Sequence, residues 1–170
     1  MSEPDFVYKI VFLGESGVGK TSLVQRFVYD SLSPEMVQTI GAVLHVKTIT
    51  LDDTNYKLIV WDLGGQESFR QLREQFCTNA SGAFFVFDRG RPETLGTMDT
   101  WLESLYSSAG KVPTTVVENK IDLDPVFSQN DIQSEIGKRG LKLMQTSATE
   151  SLNVDQTFED LVRTIRGRRS

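Results

Sequence analysis

The sequence predicts an α/β domain, a three-layer αβα sandwich. Its six-stranded sheet is largely parallel, has one antiparallel pair and is flanked by about five helices. Three observations predict it. Short apolar runs alternate along the chain with segments of helical period, the pattern of parallel strands joined by helical crossovers. A glycine-rich stretch, Gly14-Glu15-Ser16-Gly17-Val18-Gly19-Lys20-Thr21, lies between the first apolar run and the first helical segment. The runs at 42–51 and 55–61 are separated only by Asp52-Asp53-Thr54, too short for a helical crossover, so that pair is antiparallel. At 170 residues the chain suits one domain, 1–170, large enough to bury a core without disulfides or structural metal.

Each element follows in order. Val7 to Leu13 reads as a buried first strand, and Leu23, Val24, Phe27 and Val28 recur at helical spacing after the glycine turn. The antiparallel pair comes next, then a strand at Ala83-Phe84-Phe85-Val86-Phe87. Pro92 suits a helix start, with Leu95, Met98, Leu102 and Leu105 on one face. Thr114-Thr115-Val116-Val117 and Leu141-Lys142-Leu143-Met144 complete the sheet, with a helix marked by Ile132 and Ile136 between them and Gly140 as its terminator. The last helix starts at Asn153, with Gln156 as capping-box partner, and turns Val154, Phe158, Leu161, Val162 and Ile165 inward.

Composition excludes several function classes. The net charge of −5 gives no electrostatic footprint for nucleic acid. One cysteine, Cys77, precludes an internal disulfide and points to a reducing, cytoplasmic setting; its apolar neighbours make it a buried small side chain. No run approaches the roughly 20 apolar residues of a membrane span. Met1 to Asp5 lacks secretory-signal features, and Arg166 to Ser170 holds no cysteine for prenylation, so the chain reads as soluble. Membrane association would need a longer, lipidated form. Arg163, Arg166, Arg168 and Arg169 read as a solvated helix end with cations on the favourable dipole pole. His45, the only histidine, reads as a surface or edge residue.

The segment 14–21 satisfies G-x-x-x-x-G-K-[ST] in the strand–turn–helix context that a phosphate-binding loop requires. Its glycines let the backbone curl so that successive N–H groups, from Glu15 through Thr21, point at phosphate oxygens. The helix N-terminus adds unpaired donors and the positive dipole end. Lys20 reaches the β- and γ-phosphates, the Thr21 hydroxyl ligates Mg²⁺, and Ser22 adds a bond to the α-phosphate. The loop alone does not select a base. Asn119-Lys120-Ile121-Asp122, after a strand ending at Glu118, stands at the carboxyl edge of the sheet, where open α/β folds bind ligands. Guanine offers two adjacent donors, N1–H and the exocyclic amine, and the Asp122 carboxylate accepts both. Adenine would leave a buried Asp122 charge unsatisfied.

Three further motifs accompany these two: Thr39-Ile40-Gly41, Trp61-Asp62-Leu63-Gly64-Gly65-Gln66-Glu67 and Thr146-Ser147-Ala148. With all five in order over nearly the whole chain, the sequence resembles the Ras superfamily of small GTPases, P-loop NTPases that bind GTP and GDP. The switch wording is closest to the Rab branch, with an Arf-like Gly-Gly-Gln in switch II. The resemblance implies that Asn119 and Lys120 position and cover the base, and that Ser147 and Ala148 belong to the base site, the Ala148 N–H contacting the guanine oxygen. It implies further that Thr39 completes the Mg²⁺ shell, that Asp62 holds Mg²⁺ through water, that Gly65 meets the γ-phosphate and that Gln66 orients the attacking water. Lys20 and Gln66 are then the catalytic pair. Exchange factors, activating proteins and effectors would bind through switch I, about 30–45, and switch II, about 62–78.

Four positions depart from the Rab wording. Leu32 replaces the aromatic that packs edge-on against guanine, Gly64 replaces alanine, and Thr149 replaces the lysine after the serine-alanine pair. Leu44 replaces a phenylalanine of the apolar triad completed by Trp61 and Phe76. No arginine is assignable as a finger in cis, and Arg70 and Arg73 read as surface or partner-contact residues. Intrinsic turnover should therefore be slow, with an activating protein raising it on the order of 10³–10⁵-fold. Two readings stay open: a GTP hydrolase that acts as a conformational switch, and a nucleotide-binding interaction module with negligible hydrolysis, which Leu32 and Thr149 keep alive.

Overall fold

The computed structural model describes residues 3–30, 41–64 and 70–169. The elements run β1 (Phe6–Leu13), α1 (Lys20–Tyr29), β2 (Ala42–Leu51), β3 (Thr54–Leu63), α2 (Arg70–Cys77) and β4 (Gly82–Asp88). A 3-10 helix (Pro92–Thr97) leads into α3 (Met98–Ala109), followed by β5 (Thr114–Asn119), α4 (Gln129–Gly137), β6 (Lys142–Gln145) and α5 (Val154–Arg169). The strands form one six-stranded sheet in the order β2-β3-β1-β4-β5-β6. Only β2 and β3 pair antiparallel, from Ala42 with Leu63 to Leu51 with Thr54. Asp52 and Asp53 close that hairpin with φ of 50° and 62°, the two-residue turn whose twist matches the strands.

Alternation along the central strands builds two cores. Ile10 and Phe12 of β1 face one side with Leu23, Val24 and Phe27 of α1 and Phe158, Leu161 and Ile165 of α5. Val11 and Leu13 face the other with Cys77, Trp101, Leu105 and Ile132 from α2, α3 and α4. Phe27 and Phe158 stack at 3.6 Å between centroids, and Phe12 and Phe84 lean on the same Phe158 ring at 5.5 and 5.1 Å. Burying one such side chain contributes about 2–3 kcal/mol. This aromatic cluster seats α1, and with it the glycine loop, on the sheet.

The structure corrects several expectations. Pro92 opens a 3-10 turn, and the α-helix begins six residues later at Met98, so Leu95 lies outside the helical face. β5 extends through Asn119, which places that residue on the strand end rather than after it. Asn153 directly precedes α5, and its side-chain amide donates to the Gln145 carbonyl at 2.9 Å, tying the helix start to β6. The inward face of helix α2, formed by Arg73, Phe76 and Cys77, includes an arginine. Arg73 is buried at 3% exposure with its guanidinium 3.7 Å from the Trp101 ring centroid, so it is not the surface residue expected. His45 lies on edge strand β2 as expected, and its Nδ1 is 3.1 Å from the Tyr29 hydroxyl. Leu44 pairs with Trp61 across the hairpin, and the Trp61 ring packs on Phe76 at 5.3 Å.

Candidate functional site

The glycine loop leaves β1 at Gly14 and enters α1 at Lys20. Gly14 has φ +142°, and a Cβ there would sit 2.3 Å from the Val86 carbonyl oxygen of β4. Gly19 caps α1 with φ +101°, and a Cβ there would meet Asn119 Nδ2 at 2.2 Å. Only glycine fits either place. Gly19 brings no side-chain cap to the N-terminus of α1, the end that carries the positive pole of the helix dipole. The Lys20 ammonium is folded onto the loop itself, donating to the Gly14 carbonyl at 2.7 Å and the Glu15 carbonyl at 2.9 Å. Burial lowers its pKa to about 8, with the Asp62 carboxylate pulling the other way. Val18 is fully buried beneath the loop, while Ser22 is half-buried at the third position of α1.

At the foot of the loop the Thr21 hydroxyl donates to Asp62 Oδ2 at 2.5 Å, joining the start of α1 to the end of β3. Asp62 is completely buried. A hydroxyl and a carboxylate oxygen in contact form a donor set suited to Mg²⁺, a hard cation that takes its remaining ligands from phosphate and water. The residues present therefore fit the metal.

The residues expected to read the base are cross-linked to this loop. Asn119 Nδ2 donates to the Val18 carbonyl at 3.0 Å, and Asn119 Oδ1 accepts from the Thr146 hydroxyl at 3.0 Å. Lys120, in the left-handed region with φ 65°, donates from Nζ to the Gly17 carbonyl at 2.9 Å and to Asp88 Oδ2 at 2.8 Å. The Ser147 hydroxyl donates to Asp122 Oδ1 at 2.8 Å and accepts from the Glu150 N–H at 3.1 Å. Ala148 is buried, and its carbonyl accepts from Arg26 Nε at 2.9 Å, so α1 also holds the 146–148 segment. Asp122 itself is exposed, which corrects the expectation of a buried charge. Thr39, Gly65, Gln66 and Leu32 lie outside the described residues.

Sequence reasoning missed the residues that knit the two halves. Asp88 closes the wholly buried strand β4 and accepts from Lys120 Nζ, from the Gly90 N–H at 2.8 Å and from Arg91 Nε at 3.1 Å. Burial opposes its charge, yet the bonds from Lys120, Gly90 and Arg91 outweigh that and hold its pKa below the ordinary value. Arg91 also donates from Nη2 to the Ser16 carbonyl at 2.8 Å. Lys120 and Arg91 thus each grip one loop carbonyl and share one carboxylate. The signal available was an aspartate ending an apolar run, flanked by two arginines in Asp88-Arg89-Gly90-Arg91.

Known proteins are similar to this chain over most of its length. The model of the Ras family matches residues 9–167. Ras-related protein RABA2a of Arabidopsis thaliana is 32% identical over 96% of this chain and 76% of its own length. Ras-related protein Rab-18-B of Danio rerio is 37% identical over 92% of this chain and 78% of its own. Ras-related protein Rab-1D of Dictyostelium discoideum is 34% identical over 98% of this chain and 83% of its own. The match spans the glycine loop, the β3 carboxylate and the base-reading segment alike, on the six-stranded fold with its single antiparallel pair. The chain belongs to the Ras family, as a Rab-like small GTPase.

Proposed function

We propose that this GTPase holds GTP or GDP with Mg²⁺ between the glycine loop and residues 119–122 and 146–148, hydrolyses GTP slowly, and acts as a switch in membrane traffic or signalling. The observation that carries the reading is the Asn119 bridge: one buried side chain bonds Val18 of the phosphate loop and Thr146 of the base segment. That bridge supports the reading because it ties the glycine loop to the 146–148 segment, whose Ser147 bonds Asp122.

In this reading the backbone N–H groups from Glu15 to Thr21 receive the phosphates. The Lys20 ammonium turns from its loop carbonyls to the β- and γ-phosphates, where an anion restores its full charge. Ser22 adds a bond to the α-phosphate. Thr21, Thr39 and Asp62 would hold Mg²⁺, which would supply neutralisation of the phosphate charge. Asp122 accepts the two guanine donors with Ser147 steadying its carboxylate. The Ala148 N–H meets the guanine oxygen, and Asn119 and Lys120 pack about the base. Gln66 orients water against the γ-phosphorus, and the bond to the β-phosphate oxygen breaks to give GDP and phosphate. Gly65 and Thr39 read the γ-phosphate, so its loss changes both switch segments, 30–45 and 62–78, and with them the affinity for effectors, exchange factors and activating proteins. The unit acts as one domain over 1–170, in the cytoplasm, and a lipidated form would bring it to membranes.

Nucleotide extracted from purified protein and separated by chromatography is expected to be guanine nucleotide; adenine nucleotide would overturn the reading. Single-turnover hydrolysis should fall in Gln66→Leu, and an unchanged rate removes Gln66 from its role. Asp122→Asn should shift preference from guanosine to xanthosine nucleotides.

A further inference from the structure

We infer that Arg89 and Glu118 are positioning residues that set guanine selectivity from behind the base-reading loop, an inference that rests on the guanine-nucleotide reading above. Arg89 is the first residue after β4. Its N–H donates to the Asn119 carbonyl at 3.1 Å, extending the β4–β5 ladder. Its Nη1 donates to the carbonyls of Ile121 and Leu123, both at 3.2 Å, the two that flank Asp122. Its Nε lies 3.5 Å from Glu118 Oε1, and Glu118 immediately precedes Asn119. The Glu118 side chain is wholly buried and that of Arg89 is 13% exposed.

Glu118 is braced in turn. Gln129 Nε2, at the start of α4, donates to its Oε1 at 3.3 Å, and Gln145 Nε2, at the end of β6, donates to its Oε2 at 3.3 Å. Gln145 Nε2 also donates to Gln129 Oε1 at 2.7 Å. The loop is therefore held on both sides of residue 122 by hydrogen bonds from one planar guanidinium, which also forms an ion pair with Glu118. A lysine, a point charge on a flexible stem, has no such fork.

A buried ion pair adds little net stability, because desolvation consumes most of its attraction. Geometry is what this pair supplies. Asp122 is exposed and has one side-chain bond, from Ser147, so its backbone must be held if both carboxylate oxygens are to meet two adjacent donors on a purine edge. Arg89 holds the two peptide units that do this.

The test compares affinities for GDP and IDP, the latter lacking the exocyclic amine, by competition against a fluorescent GDP analogue. It uses wild type, Arg89→Lys, and the double variant Arg89→Gln/Glu118→Gln. The double variant removes both charges together and leaves no lone buried ion, so it carries the test if the single variant does not fold. Losing a hydrogen bond to a charged group should lower the GDP-to-IDP preference by about tenfold or more in both variants, with IDP affinity little changed. Equal losses for GDP and IDP would mean general loosening and overturn the inference, as would an unchanged preference. A wild-type protein that prefers ADP to GDP would instead overturn the nucleotide reading itself, before any variant is compared.

Discussion

Replacing Asp88 by asparagine tests how the two halves of the site are tied together. Asp88 Oδ2 receives Lys120 Nζ at 2.8 Å and Arg91 Nε at 3.1 Å, while Oδ1 receives the Gly90 N–H at 2.8 Å. An amide keeps the shape but has one acceptor oxygen and no charge, so either Gly90 or the two cations lose their partner. A hydrogen bond to a charged group contributes about 1.5–3 kcal/mol. The Lys120 and Arg91 side chains are 32% and 42% exposed, so solvent screening reduces the net loss to ~2 kcal/mol. For a chain of this size that corresponds to a fall of about 4–8 °C in Tm. Lys120 and Arg91 hold the Gly17 and Ser16 carbonyls, so releasing them frees the phosphate loop, and GDP should dissociate about 10–30-fold faster. Stopped-flow displacement of a fluorescent GDP analogue reads the rate, and differential scanning calorimetry reads Tm. Wild-type values for both in Asp88→Asn would refute the reasoning. The depressed pKa of Asp88 adds a sign: its contribution is complete above the unfolded value of 3.8 and is lost as pH falls through the folded one.

Two further outcomes follow from the same geometry. Gly19→Ala places a methyl 2.2 Å from Asn119 Nδ2 in a left-handed backbone and should break the Val18 contact, reducing GDP affinity about 100-fold; isothermal titration showing wild-type affinity would disprove the crowding. Burial raises the Cys77 thiol from 9.0 to about 11, so between those values the unfolded chain loses a proton that the native one keeps. Stability should therefore fall by ~3 kcal/mol as pH rises through that window. Urea unfolding of wild type and Cys77→Ala at pH 8 and 10.5 isolates the effect, and parallel pH responses would exclude it.

The strand–turn–helix at 6–29 and the antiparallel β2–β3 pair were legible because both are local: a motif fixes one and a short joint fixes the other. The fold class and family followed from these and from the motif order. Helix α2 was not legible, since buried Arg73 stands where periodicity expects an apolar residue, and its compensation comes from Trp101 on another helix. Asp88, Arg89, Arg91 and Glu118 escaped notice for a related reason. Their partnerships run across neighbouring parallel strands, and strand order is a tertiary property that no window of sequence displays. The open carboxylate of Asp122 was likewise invisible, because burial at a ligand site depends on what covers it.

The hairpin's open end has a mechanical consequence. Ala42 pairs with Leu63 there, and the Gly64 N–H donates to the Gly41 carbonyl at 2.6 Å. Gly41 and Gly64, one residue beyond the last paired positions, are thus clasped by a peptide hydrogen bond at one rim of the sheet. A pull on the backbone at Gly41 is therefore felt at Gly64 through that one hydrogen bond, without passing through the side chains of either core.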